Sequence, residues 1–118
     1  MRRTTILDLY EKLATGERAG VVWTLEQDAD INVNLVRFPA GRGVSEHVNE
    51  EVDVFVVGVA GSGLIEVDGH EHHLRAGTVA FVPKGARRST MSESGDFAYL
   101  TVHRRRGPLQ IGGLPTPE

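Results

Sequence analysis

The fold is decided by residues 41–92, which read GRGVSEHVNE EVDVFVVGVA GSGLIEVDGH EHHLRAGTVA FVPKGARRST MS. Apolar and polar residues alternate along much of this stretch, and glycine or proline interrupts the alternation at intervals. A period of two is typical of β-strands that bury one face, and the interruptions mark turns. Asp68-Gly69 is the clearest turn, because a two-residue type I′ hairpin needs positive φ at both positions. The stretch therefore predicts several short antiparallel strands.

Segments within and around this stretch extend the strand pattern. The run 52–59 is apolar almost throughout, so we expect it to be buried on both faces. Pro83 ends the strand before it, because proline has no N–H to donate to a ladder. Eight or nine short strands at regular spacing predict an all-β, single-domain antiparallel β-barrel or jelly roll. The expected strands cover 21–25, 31–38, 52–59, 64–67, 70–74, 78–82, 86–91 and 97–104.

The two ends of the chain do not follow the strand pattern. Residues 4–15 carry apolar residues at helical spacing and precede Gly16, so we expect one short amphipathic helix that packs on an end of the barrel. The last residues are rich in proline and glycine, and we expect an irregular tail. The predicted organisation is an N-terminal helical segment (1–19), a β-barrel (20–106) and this tail (107–118).

Composition narrows the class of protein. A chain of 118 residues forms one domain, and a formal net charge of −3 argues against nucleic-acid binding, which needs a positive field. No apolar run approaches the roughly 20 residues of a membrane helix, and no apolar stretch follows the first arginines as in a secretory signal. Cysteine is absent, which excludes disulfides and thiolate metal sites, and a cytoplasmic location is expected.

Residues 20–104 resemble the cupin superfamily, whose barrels carry two sequence motifs. The first is a glycine, five residues, H-x-H, three or four residues, a glutamate, six residues and a glycine. The second is a glycine, five residues, P-x-G, two residues, a histidine, three residues and an asparagine. The last glycine of the first motif comes one residue late here, and a bulge at Gly58 would absorb the extra residue. The residues that keep the frame are Gly41, His47, Gly61, Gly77, Pro83 and Gly85.

The metal-binding positions of this family are largely replaced. The resemblance implies a metal held by two histidines, a glutamate and a third histidine, and these positions are His47, Asn49, Asp53 and Arg88. The first three share strand parity, so all three can face inward. The guanidinium of Arg88 is always charged and has no lone pair to give, so it repels a metal ion. We therefore expect no bound metal and no other cofactor.

Arg88 has two alternative roles. It can take the place of the metal's charge and bind a carboxylate or phosphate through two parallel hydrogen bonds, while His47 donates to the ligand or moves a proton and Asn49 orients it. Alternatively, Arg88 pairs with Asp53, or with Glu51 if the strand slips, and neutralises a buried acid.

Two further choices remain open on the last strands. Arg87 and Arg88 are neighbours, so one points inward and the other to solvent. His103 shares one face of its strand with Tyr99 and Thr101, but the sequence does not say whether that face lines the barrel. The candidate ligand-binding residues are therefore His47, Asn49, Asp53, Arg88 and His103, with no catalytic residue assigned.

The leading hypothesis for function is a metal-independent protein that binds a small, anionic organic ligand inside the barrel. The alternative is a small cupin enzyme that uses His47 and Asp53, either an isomerase, epimerase or lyase or a metal-dependent dioxygenase; His103 is another partner for His47. A third possibility is an interaction module. The resemblance also implies a homodimer, with Trp23 and the apolar face of 31–38 as contact candidates unless they belong to the core. No nucleic acid or membrane partner is expected.

Overall fold

The computed structural model describes residues 4–26 and 28–105. This part of the chain contains one short helix followed by strands that pair only antiparallel, which confirms the predicted all-β fold. The elements are α1 (Leu9–Thr15), β1 (Gly20–Thr24), β2 (Ile31–Phe38), β3 (Gly43–Val48), β4 (Val54–Ala60), β5 (Ser62–Val67), β6 (His70–Arg75), β7 (Val79–Val82), β8 (Arg87–Ser92) and β9 (Phe97–Arg104).

The strands form two sheets that face each other as a jelly roll. The larger sheet has the order β1-β2-β9-β4-β7 and the smaller one the order β3-β8-β5-β6. Side chains from both sheets fill the space between them, because alternate residues on each strand point inward. This central core contains Val36, Val52, Val54, Val56, Ile65, Leu74, Val82, Ala86, Phe97 and Tyr99.

The turns follow the predicted chemistry. Asp68 and Gly69 have φ values of 49° and 83°, as a type I′ hairpin between β5 and β6 requires. β7 ends at Val82, directly before Pro83. The ladder between β4 and β9 shifts register between Gly58 and Ala60, which confirms the bulge expected at Gly58. A bulge here places an extra residue in β4 without turning the rest of the strand over.

Helix α1 is shorter than the 4–15 segment that we expected. It begins at Leu9 because the side chain of Asp8 caps it, accepting a hydrogen bond from the backbone N–H of Glu11. It ends at Gly16, as predicted. The helix packs on the outer face of the larger sheet, in a second cluster that contains Leu13, Leu35, Val59 and Ala98, with Trp23 and Leu100 beside them.

The outer face of β4 differs from the prediction. The apolar run 52–59 was expected to be buried on both faces, but the side chain of Phe55 is 44% exposed. Only the inward residues of β4, such as Val54 and Val56, reach the central core. Helix α1 covers the outer face near Val59, and the other end of β4 lies beyond this helix. The apolar run therefore reflects two different environments.

The predicted tail, 107–118, lies outside the described residues. Within the described ranges, α1 is far too short to cross a bilayer, and no helix there has the length and apolar character of a membrane span. The resulting frame is a two-layer sandwich, and the space between its layers holds the candidate site.

Candidate functional site

A cavity of about 220 Å³ lies between the two sheets. Its lining includes Val21 on β1 and Val44 on β3, which are edge strands of the two sheets. Its wall is mostly apolar, because the inward residues of β2, β4, β5 and β7 belong to the central core. The apolar lining residues include Val36, Phe38, Val54, Val56, Ile65 and Val82.

Arg88 and His47 face each other across β3 and β8 and both line the cavity. Arg88 Nε donates a hydrogen bond of 3.1 Å to His47 Nε2. The other ring nitrogen, Nδ1, lies 2.9 Å from the carbonyl oxygen of Ser45. An arginine only donates and a carbonyl only accepts, so this pair of contacts selects the neutral imidazole with its proton on Nδ1. The structure also shows which of the two neighbouring arginines points inward, since Arg87 is exposed and Arg88 lines the cavity.

Asn49 lines the cavity but acts on the backbone as well. It is buried and follows the end of β3. Its Oδ1 accepts hydrogen bonds from the backbone N–H groups of Glu51 (2.9 Å) and Val52 (3.3 Å). Its own carbonyl accepts from Gly85 N at 2.7 Å, which joins this loop to the turn between β7 and β8. The side-chain oxygen that would ligate a metal is therefore engaged in shaping the loop.

Asp53 does not join the cavity, and the expectation that it shares an inward face with His47 and Asn49 is wrong. The parity argument assumed a continuous strand, but β3 ends at Val48 and β4 begins only at Val54. In β4 the inward positions start at Val54, so the preceding residue points outward. The Asp53 side chain is exposed and its Oδ1 accepts a hydrogen bond of 2.9 Å from Lys84 N.

The structure shows which face of β9 lines the cavity, which the sequence alone did not establish. Tyr99, Thr101 and His103 all line the cavity. His103 is buried, and its Nδ1 lies 2.8 Å from the carbonyl oxygen of Arg104, so this nitrogen carries the proton in that contact. The cavity thus brings together four of the five candidate residues, namely His47, Asn49, Arg88 and His103.

Tyr99 is a cavity residue that sequence reasoning did not select as part of the site. Its hydroxyl lies 3.1 Å from Thr90 Oγ1, which also accepts a hydrogen bond from Val44 N. Burial raises the pKa of Tyr99 above its ordinary value of 10.0, while the Thr90 hydrogen bond and the charge of Arg88 act in the opposite direction. The phenol is therefore a neutral group of the wall at physiological pH.

A second polar row crosses the larger sheet. Thr24 Oγ1 donates a hydrogen bond of 2.8 Å to Asn34 Oδ1, and Asn34 Nδ2 lies 3.5 Å from Thr101 Oγ1. Asn34 and Thr101 line the cavity. The sequence does contain a signal for Asn34, because Asn32 and Asn34 are polar residues on the same face of the alternating strand 31–38.

The donors in this cavity do not fit a transition metal. His47 Nε2 receives the Arg88 hydrogen bond, Asn49 Oδ1 accepts from the backbone, and Asp53 faces away. A metal would also lie beside the permanent charge of Arg88. Among the residues that the structure describes, no three histidine, aspartate or glutamate side chains come together as a metal cluster would require.

The electrostatic character of the cavity is simple. Of the described lining residues, Arg88 carries a permanent formal charge, and none is an aspartate or glutamate. The neutral groups beside it are amides, hydroxyls and imidazoles. The arrangement can therefore attract a single negative charge at one place on a mostly apolar wall.

Comparison with known proteins supports this interpretation of the fold. The family model described as "Cupin domain" matches residues 34–103. A curated relative, dimethylsulfoniopropionate lyase DddW from Ruegeria pomeroyi, is 31% identical over 72 residues, which cover 59% of this chain and 47% of that protein. The match thus spans about half the length of that relative.

Solved structures share the architecture over nearly the whole chain. TT1209 from Thermus thermophilus has a TM-score of 0.71 and 26% identity, covering 86% of this chain and 98% of that one. A cupin-2 domain containing protein from Shewanella frigidimarina has a TM-score of 0.72 and 16% identity, covering 85% and 95%. From the two-sheet fold, the glycine and proline frame and the family match, we conclude that this chain belongs to the cupin-domain family.

Proposed function

We propose that the protein binds one small organic anion in its cavity without a metal ion, and that Arg88 anchors the anion. The observation that carries this proposal is the charge of the lining, where a guanidinium is present and no acid is found among the described residues. A guanidinium binds carboxylates through two parallel hydrogen bonds, and such charge-assisted bonds are stronger than neutral ones. The mostly apolar wall strengthens this attraction because it lowers the local dielectric constant below that of bulk water.

His47 serves in this proposal as a positioning residue. Its Nε2 holds the Nε edge of the Arg88 guanidinium, and its Nδ1 is tied to the Ser45 carbonyl. The guanidinium plane is thereby fixed on β8, while the two Nη atoms carry the N–H groups of the other edge. Since the His47 lone pair is used by Arg88, a role as general base is not favoured by this geometry.

Nuclear magnetic resonance titration with simple anions tests the proposal. Acetate, hexanoate and inorganic phosphate are added separately to ¹⁵N-labelled protein, and saturable shifts of cavity amides are measured. We expect at least one organic anion to bind, and Arg88→Met to weaken it by about tenfold or more, because a hydrogen bond to a charged group contributes about 1.5–3 kcal/mol. Arg88→Lys keeps the positive charge but cannot form two parallel hydrogen bonds. Its affinity for the anion should therefore lie between those of the wild type and Arg88→Met.

Two matched variants control this experiment. Arg87→Met removes a neighbouring exposed charge, and Asp53→Ala removes the carboxylate that occupies the glutamate position of the family motif. Both should bind with wild-type affinity, although Asp53→Ala should lose about 1 kcal/mol of stability with its hydrogen bond to Lys84. If no anion binds, or if Arg88→Met binds as tightly as wild type, the proposal is wrong.

A lyase is the second candidate function, favoured by the similarity to dimethylsulfoniopropionate lyase DddW. The carboxylate of that compound suits Arg88, but its sulfonium cation meets no acid among the described lining residues. Incubating the protein with dimethylsulfoniopropionate and following its methyl signal by proton NMR separates the two candidates. Consumption of the compound that is lost in His47→Ala would favour the lyase, and an unchanged signal would favour the binding protein.

A further inference from the structure

We infer that the anion is a monocarboxylate with an uncharged, apolar body of a few carbon atoms, and that it binds with this body innermost. The inference rests on the proposed function, since it names the ligand class for the same cavity. It follows from three features of the cavity, namely the charge of its described lining residues, the depth at which its polar and apolar side chains lie, and its volume.

The charge of the lining selects a monoanion. Arg88 supplies one permanent positive charge, and Nε2 of the His47 ring beside it accepts a hydrogen bond from Arg88. A second carboxylate or a doubly charged phosphate would leave one negative charge uncompensated in a mostly apolar space, which is costly. A cationic group on the ligand would likewise find no acid in the described lining.

Burial indicates the direction in which the ligand lies. Arg88 and His47 are half-buried, whereas the valine and isoleucine side chains of the wall are among the most buried in the protein. Val54, Val82 and Ile65 are each no more than 2% exposed. Asn49 and His103 also line the cavity and are each 6% exposed, so the deep part of the cavity holds polar groups beside this apolar floor. A carboxylate on Arg88 therefore stays nearer to solvent, while an apolar chain is removed from water against the valine and isoleucine side chains.

The volume limits the size of the body. A buried cavity of about 150 Å³ accepts benzene, which has six carbon atoms. By simple proportion, the cavity of about 220 Å³ holds about nine non-hydrogen atoms. Hexanoate has eight such atoms and octanoate ten, so the best straight-chain fit lies between them. Drug-sized molecules, which need roughly 300–1,000 Å³, are too large.

A chain-length series measures these properties directly. Butanoate, hexanoate, octanoate and dodecanoate are titrated against the wild-type protein by NMR, together with hexanedioate, hexanamide and inorganic phosphate. Each methylene buried should raise affinity about fourfold, so hexanoate should bind about fifteenfold more tightly than butanoate. The gain should stop near octanoate. Hexanedioate, hexanamide and phosphate should each bind at least tenfold more weakly than hexanoate.

A substitution in the apolar floor of the cavity tests where the hydrocarbon chain of the ligand lies. Val36→Thr replaces one methyl group of a lining residue with a hydroxyl of similar size. It should therefore weaken the binding of hexanoate and leave the binding of acetate unchanged. Val79→Thr makes the same exchange at an exposed position and should alter neither. If Val36→Thr does not fold, the chain-length series on the wild-type protein decides alone.

The outcomes separate this inference from the proposed function. Arg88-dependent binding with no dependence on chain length, or with hexanedioate or phosphate preferred, would overturn the monocarboxylate inference and leave the anion site standing. Binding of no anion at all would overturn both. If Arg88→Met binds the carboxylate series as tightly as the wild type and with the same chain-length dependence, the apolar floor binds chains without the proposed anchor, and the anion site is wrong.

Discussion

The pair of side chains that faces the cavity across β3 and β8 shows how one residue changes the chemistry of a fold. Arg88 stands at a position where the family motif has a histidine, and its Nε points at His47 Nε2. An imidazole at this position would add a lone pair to the cavity, whereas the guanidinium adds donors and a fixed charge. The residue at this position therefore favours the anion site that we propose over a site for a metal cation.

Tyr99 provides a test of burial on the cavity wall. Its pKa is raised mainly by burial, so the folded state holds the phenol proton more tightly than the unfolded state, in which the pKa is near 10.0. The stabilisation is therefore complete below pH 10 and is lost as the pH rises through the higher folded-state pKa. We expect urea unfolding to show this alkaline loss in wild type and a smaller one in Tyr99→Phe.

The Tyr99→Phe variant has a second expected effect. At neutral pH it should lose about 1 kcal/mol, because the hydrogen bond to Thr90 is gone. The difference between the ultraviolet titrations of the two proteins isolates the Tyr99 phenolate. If Tyr99 ionises at or below the pH of an unfolded tyrosine, the burial argument is contradicted.

At the residue scale, alternation limited the choices where a strand is continuous and failed where it is broken. His47 and Arg88 lie on paired strands and both line the cavity, but alternation left open whether Arg87 or Arg88 points inward. Asp53 lies between β3 and β4, where the chain leaves the strand conformation and parity is lost. Tyr99 was placed on a face with His103, but the inward face of β9 depends on the two-sheet packing, which the sequence does not contain.

At the scale of elements, the boundaries of most strands followed closely from glycine, proline and alternation, but β3 (Gly43–Val48) was not among the expected strands. β2 has the predicted bounds, and the Asp68-Gly69 hairpin and the Gly58 bulge lie where local chemistry placed them. The start of α1 was harder to predict. The apolar residues within 4–8 have helical spacing, but the helix begins only after Asp8, whose side chain caps it. A helix of seven residues also needs tertiary contacts for its stability.

One of those contacts is made by a buried arginine. Arg37 on β2 donates through Nη1 to the carbonyl oxygens of Leu13 and Glu17, at and beyond the end of α1. Its Nε also lies 2.9 Å from Asp96 Oδ1. These bonds satisfy carbonyl groups that a helix end leaves without partners inside the helix. The helix is therefore held by the sheet on which it packs.

The bulge in β4 allows a close approach between the two sheets and carries a stability prediction. A methyl group at Gly58 would overlap the backbone carbonyl of Arg75 on β6, and backbone cannot yield as a flexible side chain can. We expect Gly58→Ala to lower the free energy of unfolding by about 2 kcal/mol or more, measured by urea denaturation. Gly95→Ala is the control, because nothing lies within 4 Å of its added methyl. Equal stability of the two variants would show that the sheets can separate at this point.

At the scale of the molecule, an apolar patch remains on the outer face of the larger sheet beyond α1. Phe55 and Phe81 are cross-strand partners on β4 and β7 and are 44% and 59% exposed. Val79, also exposed, lies beside Val57 on the same face. The contact predicted for Trp23 and β2 is less suited to a partner, because Trp23 packs beside α1 and Leu35 is buried there.

We propose that two copies of the chain pair through this patch. The patch is uncharged, so it can meet its own copy across a two-fold axis without repulsion between like charges, and a two-fold dimer is the commonest assembly of identical chains. Analytical ultracentrifugation should find a dimer for wild type and a monomer for Phe81→Lys. Met91→Lys, an exposed apolar residue on the other sheet, should remain dimeric. A monomeric wild-type protein at micromolar concentration would contradict the proposal.

The guanidinium of Arg88 gives the cavity its positive charge without the need for a supply of metal ions. A site that depends on a metal ion must compete for that ion with every other protein, and the order of metal affinities favours the wrong ion when copper or zinc is abundant. The charge in this cavity is instead part of the polypeptide and is present as soon as the chain has folded. It has no oxidation state to change and is not removed by chelators. The ligand binding that we propose should therefore not change when metal ions are depleted or a chelator is added.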